Sequence, residues 1–339
     1  MNMRQMISFL TVWMCLSLAA CQKSGSTGPA PTPTPTPNPP APVKPLITLP
    51  PGWKQNTTLT STFPSNLQAY VFDSLFEGKQ TRAFCFAFES SNTGVAFKPT
   101  LSATAKTPGE FNQQEPGTVY ACINGGYFGG NQSYSLVRHN GTTLAPNIKL
   151  LSRPLGHYYP TRAAFGVSST GAPSVGWVYH IGAGNDPIFR YPAPAPNDVN
   201  KAPLPAPDAN FPTGGAAWDV ASAIGGSPML VYAGQMRVTD TAELIDINNG
   251  SARPRSAIGY TPEGIILMVA VQGDNFVAGY AGLNLMETAR LMRSLGCSHA
   301  INLDGGGSTS LRIGGIATVK PSATGAERAV TSVVMITRK

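Results

Sequence analysis

Gly264-Ile265-Ile266-Leu267-Met268-Val269-Ala270-Val271 and, further on, His299-Ala300-Ile301-Asn302-Leu303-Asp304 bracket the best-ordered part of this sequence. The first run is apolar without a break, the pattern of a strand covered on both faces. The second is a shorter strand that stops at a carboxylate. Between them Asn284 can open a helix, because Glu287 stands three residues on, where a capping box needs it. Leu285, Ala289, Met292 and Leu295 recur at helical spacing, and Gly296 is placed to end the helix as its C′ residue. Residues 264–303 therefore read as strand–helix–strand, a unit that could be a right-handed parallel crossover.

Working outward, Thr81-Arg-Ala-Phe-Cys-Phe-Ala-Phe88 sets phenylalanines at 84, 86 and 88 against small residues, a pleat with one heavy face. Val119-Tyr-Ala-Cys-Ile123 is another strand, and it runs straight into Asn124-Gly125-Gly126-Tyr127-Phe128. Residues 185–218 break the pattern: eight prolines between Pro187 and Pro212 mark a long irregular insertion, of the kind that often shapes a binding site. With 36 glycines and 31 prolines, the chain alternates strand and turn over most of its length. The expected fold is α+β: a single domain with a twisted, largely antiparallel sheet and few helices, rather than a doubly wound sheet.

The start of the chain has a different character. Arg4, the apolar stretch Ile7 to Leu18 and the small residues before Cys21 read as a signal segment over residues 1–20. Leu18-Ala19-Ala20-Cys21 is similar to a bacterial lipobox, which implies lipidation of Cys21, and the Gln22 that follows implies the outer membrane. From Pro29 to Pro51 there are eleven prolines, so residues 21–51 read as an extended tether and residues 52–339 as the domain. The net charge of +7 is carried by scattered side chains, which gives no footprint for nucleic acid and a general preference for anions. Three cysteines remain after Cys15 and Cys21, of which Cys85 and Cys122 could pair if their strands are neighbours. The four histidines are dispersed, so no zinc site is expected; a divalent cation is conceivable at Asp304, but no ligand spacing demands one and no cofactor is implied.

Chemistry concentrates at Asp304-Gly305-Gly306-Gly307-Ser308-Thr309-Ser310-Leu311. A carboxylate at a strand end meets three glycines whose amides could form an anion-binding nest. No Lys-Ser/Thr pair follows, so this is not a phosphate-binding P-loop. A tight hairpin between residues 300–303 and 309–313 would use the same Asp-Gly pair, although it needs fewer glycines. Arg255 and Arg328 could each hold a phosphate bidentately. Glu287 offers a second carboxylate with a competing place in the helix cap, and Asn124 has a competing place in an Asn-Gly turn.

Taken together, Asn124–Phe128, Ile224-Gly-Gly-Ser-Pro-Met-Leu-Val231, Arg255-Ser-Ala-Ile-Gly259, Gly282–Glu287, Asn302–Ser308 and Glu327–Val330 resemble the phosphodiester glycosidase family, in the family's order and over most of residues 118–338. The departures are Ala233-Gly234, where an acidic residue before glycine is usual, and Thr309 after Ser308. The resemblance implies a hydrolase that cleaves the anomeric C–O bond of a sugar-1-phosphodiester. It implies a catalytic pair of Asp304, as base for water or as nucleophile on the anomeric carbon, and Glu287, orienting it or serving as the second carboxylate, with Asn124, Gly125, Arg255, Gly305, Gly306, Gly307, Ser308 and Arg328 around the substrate. Two other readings use the same residues: a glycan-binding envelope lipoprotein without catalysis, and a glycosidase acting on unphosphorylated polysaccharide.

Overall fold

A computed structural model describes residues 43–91, 93–245, 249–320 and 325–339. The signal segment, Cys21 and the tether as far as residue 42 lie outside the described residues.

Three large antiparallel sheets, with two two-stranded ones beside them, build the domain among the described residues. The largest runs in the order Trp53–Gln55, Leu67–Phe76, Lys79–Glu89, Ile265–Val271, Arg255–Tyr260, His299–Asn302, Met229–Tyr232, Gln235–Met236. A second has seven strands, with Pro173–His180, Arg162–Val167 and Ser222–Gly225 at its centre. The third is Ile316–Ala317, Leu311–Ile313, Val119–Asn124, Val330–Arg338, Val95–Lys106. The expected α+β fold with a largely antiparallel, helix-poor architecture is what the structure has.

The apolar run at 264–271 is explained by what lies on either side of it. Ile266, Met268 and Ala270 enter the central core, which Phe86 and Ile258 share with Phe165, Trp177 and Ile224 of the second sheet and with Ile123, Leu311 and Val334 of the third. Ile265, Leu267, Val269 and Val271 face the other way, into a layer with helix α2 (Leu285–Ser294). Phe86 and Phe88 lie in the central core, while Ala83, Cys85 and Ala87 lie in the α2 layer, so the heavy face of that pleat fills the middle of the domain. Asn284 and Glu287 close a complete capping box on α2, and Gly296 takes the left-handed φ of +89° that ends it. The stripe Leu285, Ala289, Met292 and Leu295 is buried in the same layer.

Three details differ from the sequence reading. Ile265–Val271 and His299–Asn302 do run in the same direction, but Arg255–Tyr260 lies between them and pairs antiparallel with both, so the crossover makes no parallel ladder. Cys85 lies in the α2 layer, whereas Cys122 lies under the short helix α1 (Pro108–Gln114), and both are free thiols. Burial pushes both thiols up. The insertion begins and ends in the second sheet, through Ile188–Tyr191 and Ala216–Ala217, and only the stretch between them is irregular. Helix α1, with its own capping box from Thr107 and Glu110, has no counterpart in the sequence reading.

Candidate active site

Asp304 lies where the three sheets converge. The strand before it, His299–Asn302, belongs to the eight-stranded sheet and the one after it, Leu311–Ile313, to the five-stranded sheet. The glycine-rich turn therefore joins two sheets, which removes the hairpin explanation for it. Within it Gly306–Ser308 form a single 3-10 turn, and a Cβ on Gly305 would stand 2.9 Å from the Pro254 carbonyl, a close approach that only glycine allows.

The backbone around Asp304 is braced on every side. Its amide donates to the Gly125 carbonyl at 3.2 Å, and its own carbonyl accepts from Asn124 Nδ2 at 2.7 Å. Asn124 Oδ1 accepts from Ser256 Oγ at 2.6 Å and from the Ser310 amide at 3.0 Å. Asn124 is buried, and each end of its amide is held within the protein, so it acts as a clamp between three segments rather than as a ligand contact. Gly125 works alongside it, donating to the Ser332 carbonyl at 2.8 Å.

Asp304 remains part-exposed as a residue, yet its carboxyl is enclosed by protein on nearly every side. Burial raises its pKa to about 6, against the opposing pull of the adjacent Ser308 hydroxyl, the Arg328 charge and the Gly305 amide. The Gly305 amide donates to Asp304 Oδ1 at 3.0 Å, and the Gly306 amide donates to the Pro254 carbonyl at 2.9 Å. Those two amides are thus occupied inside the protein, and the expected three-glycine nest is not formed. In the same turn Thr309, and in the adjoining strand Thr331 and Ser332, each bury a side-chain oxygen that has no hydrogen-bond partner among the described residues. Buried polar atoms are seldom left so.

The remaining expected residues divide. Arg328 is exposed, lies over the Phe128 ring at 5.2 Å and holds the Asp304 carboxyl down, so it belongs to the site. Arg255 is buried and ties two loops together, Nε donating to the Leu283 carbonyl at 2.8 Å and Nη2 to that of Ser251 at 2.9 Å. Glu287 accepts from the Asn284 amide at 2.8 Å through Oε2, while Oε1 is paired with Lys79. Burial pushes its carboxyl up, but Lys79 and the Asn284 amide outweigh that and leave it below the ordinary value. Its two oxygens are thus engaged in the helix cap and an ion pair.

A further set of hydrogen-bonded residues, not singled out by the sequence reading, stands between Asp304 and the seven-stranded sheet. Asn302 Nδ2 donates to the Ser227 carbonyl at 2.8 Å and meets Tyr127 Oη at 3.0 Å, and the phenol donates to that same carbonyl at 2.8 Å. Ser227 Oγ donates to Glu243 Oε2 at 2.6 Å. Glu243 is fully buried and accepts four further hydrogen bonds, from the Ala163 and Met229 amides, Trp177 Nε1 and Thr239 Oγ1. Burial pushes the Tyr127 phenol well up; the Asp304 charge adds to that, and those of Arg255 and Arg162 oppose it. Tyr127, Ser227 and Asn302 sit inside motifs quoted above, so the signal for them was present. Glu243 and Arg162 stand alone in the sequence and carry none.

At this junction the fold thus sets the Asp304 carboxyl within electrostatic reach of Arg328, with Glu243 buried behind Ser227 and Asn302. The chain belongs to the phosphodiester glycosidase family, whose model matches residues 117–337. Among solved structures, a protein from Synechocystis aligns with a TM-score of 0.55 and 17% identity, over 82% of this chain and 63% of its own length. The catalytic domain of zebrafish N-acetylglucosamine-1-phosphodiester alpha-N-acetylglucosaminidase, auto-inhibited by its pro-peptide, aligns at 0.52 with 17% identity, over 85% of this chain and 84% of that one. A Burkholderia pseudomallei protein described as exported aligns at 0.51 with 17% identity, over 78% of this chain and 75% of that one. These likenesses establish the fold. No curated protein matches the chain by sequence.

Proposed function

We propose that this protein hydrolyses the anomeric C–O bond of a sugar-1-phosphodiester, with Asp304 as general base. The observation that carries this is the enclosed Asp304 carboxyl, raised to about 6 and facing Arg328 on a turn between two sheets. A carboxyl at about 6 is largely ionised at neutral pH and still basic enough to take a proton from water, which is where a general base works best. In this scheme water attacks the anomeric carbon as its proton passes to Asp304, and the bond to the bridging oxygen breaks with both electrons leaving on the phosphomonoester. Such a leaving group needs charge stabilisation more than protonation, so Arg328 takes the place of the acid that an ordinary glycosidase requires. Glu287 then has no acid to supply, in keeping with its engagement by Lys79 and the helix cap. Family membership supports the reaction class.

The envelope location is part of the same proposal: the lipobox-like Leu18–Cys21 supports a lipid anchor on the outer membrane, and loss of fatty-acid labelling in Cys21→Ser would verify it. For the chemistry, release of free sugar and phosphomonoester is measured from UDP-N-acetylglucosamine and a panel of sugar-1-phosphodiesters. Turnover by the wild-type protein, lost by a factor of at least about 10³ in Asp304→Asn at unchanged fold, is the expected result. Glycan binding without any release across the panel would identify a binding lipoprotein instead. Release from unphosphorylated polysaccharide alone would make the protein an ordinary glycosidase.

A further inference from the structure

Arg162 opens the strand Arg162–Val167 at the centre of the seven-stranded sheet and is 5% exposed. Its guanidinium makes one hydrogen bond among the described residues, Nη2 to the Leu244 carbonyl at 3.2 Å. Nε is buried with no hydrogen-bond partner among the described residues. Burial lowers its pKa to about 10, against the raising effect of Glu243 and Tyr127, so it carries its full charge at neutral pH. Glu243 is its evident compensating charge, but the five donors on that carboxylate leave it committed elsewhere. A buried cation whose fork of donors is mostly unanswered is costly unless an anion completes it.

Its position says which anion. The residue after it, Ala163, accepts from the Gly226 amide at 2.9 Å, and the next amide, that of Ser227, donates to the Asn302 carbonyl at 2.9 Å, two residues before Asp304. Tyr127, bonded to both Ser227 and Asn302, feels the charges of Arg162 and Asp304 together. Arg328 precedes a strand of the five-stranded sheet and Arg255 begins one of the eight-stranded sheet. Arg162 brings a third arginine, from the remaining sheet, within electrostatic reach of Tyr127.

We propose that Arg162 is an anion-binding residue of the Asp304 site, placed to receive the phosphate group of the substrate. The assignment deepens the reading above and rests on it for the identity of the substrate, while the phosphate site itself can be tested without turnover. A planar guanidinium presents Nε and Nη donors in the fork that matches two phosphate oxygens, which a lysine cannot reproduce. Removing it takes away charge stabilisation that grows as the bridging oxygen leaves, so the loss should fall on phosphodiester turnover.

The test is calorimetric binding of inorganic phosphate to the wild-type protein, Arg162→Gln, Arg162→Lys and Asp304→Asn. Expected is saturable binding to wild type, at least about tenfold weaker in Arg162→Gln and several-fold weaker in Arg162→Lys, with Asp304→Asn unchanged or tighter because a like charge is gone. Arg162→Lys keeps a cation beside Glu243 and covers the case in which the glutamine variant does not fold. Phosphate affinity unchanged in whichever variant folds, or no binding by wild type, overturns the assignment. Phosphate binding that depends on Arg162 without sugar release from any phosphodiester would instead sink the hydrolase and leave this site standing.

Discussion

Asp304 shows how one residue can carry opposing demands. Its carboxyl titrates near 6 in the folded chain, against 3.8 ordinarily, because burial disfavours the charged form more than Ser308, Arg328 and the Gly305 amide favour it. Keeping it ionised at neutral pH costs on the order of 3 kcal/mol of stability. The direction follows from its folded pKa lying above the unfolded one: the folded state binds the extra proton, so stability is full below about 3.8 and falls as pH rises to about 6. Asp304→Asn should therefore melt higher than wild type at pH 7.5, with the difference shrinking towards pH 4. Thermal melts at the two pH values check this, and an equal or lower melting temperature for the variant at pH 7.5 would show that the carboxyl is not strained. The rate should move the opposite way, kcat/KM rising with pH through about 6 as the base ionises.

At the scale of elements, the legible parts were those where local pattern and tertiary setting agree. Helix α2 could be read to its caps because Asn284, Glu287 and Gly296 act on their own backbone neighbours. The strand 264–271 could be read because both its faces are buried, and apolarity alone records that. Asp304 and its glycines stood out for a similar reason, since a strand, a carboxylate and a close-approach turn are contiguous in the chain. What sequence could not show is which sheet each strand joins, and so it could not show that the Asp304 turn bridges two of them. Glu243 and Arg162 escaped notice on the same account, for their partners lie across the fold and no spacing encodes them. Glu287 is the instructive ambiguity, because the capping box and the catalytic reading predict the same residue. The cap should tolerate Glu287→Gln, whose amide oxygen can still accept from Asn284, while the Lys79 pair is lost. Turnover within about threefold of wild type is expected, with a stability loss of about 1 kcal/mol or less, since the pair is part-exposed. A loss of activity as deep as that of Asp304→Asn would return Glu287 to the role of second carboxylate.

For the whole molecule, the described chain begins at the end of the large sheet that lies away from the site. Residues 44–50 line a cleft of about 830 Å³ with Thr261, Pro262, Glu263 and Ser294–Gly296. Thr261 follows the strand Arg255–Tyr260 at its far end, where Tyr260 pairs with His299, whereas Arg255 and Asn302 mark the end at which Asp304 sits. The reading of residues 21–51 as tether thus meets a different fact at its C-terminal part. Ile47 is buried in the α2 layer, the Leu46 amide donates to Gln68 Oε1 and Tyr70 Oη at 3.1 and 2.9 Å, and Gln68 Nε2 returns a bond to the Lys44 carbonyl at 3.0 Å. A strap so attached contributes to stability without touching the chemistry. A chain beginning at residue 52 should lose about 2–3 kcal/mol through exposure of Ile47 and of the surface it covers, which lowers the melting temperature by roughly 3–6 °C relative to a chain beginning at residue 43. Its kcat/KM on a phosphodiester substrate should stay within about twofold, because the lost contacts lie at the opposite end of the sheet from Asp304. Equal melting temperatures would mean that the strap packs without stabilising, and a fall in kcat/KM of tenfold or more at a temperature where both chains are folded would mean that the two ends of the large sheet are mechanically coupled.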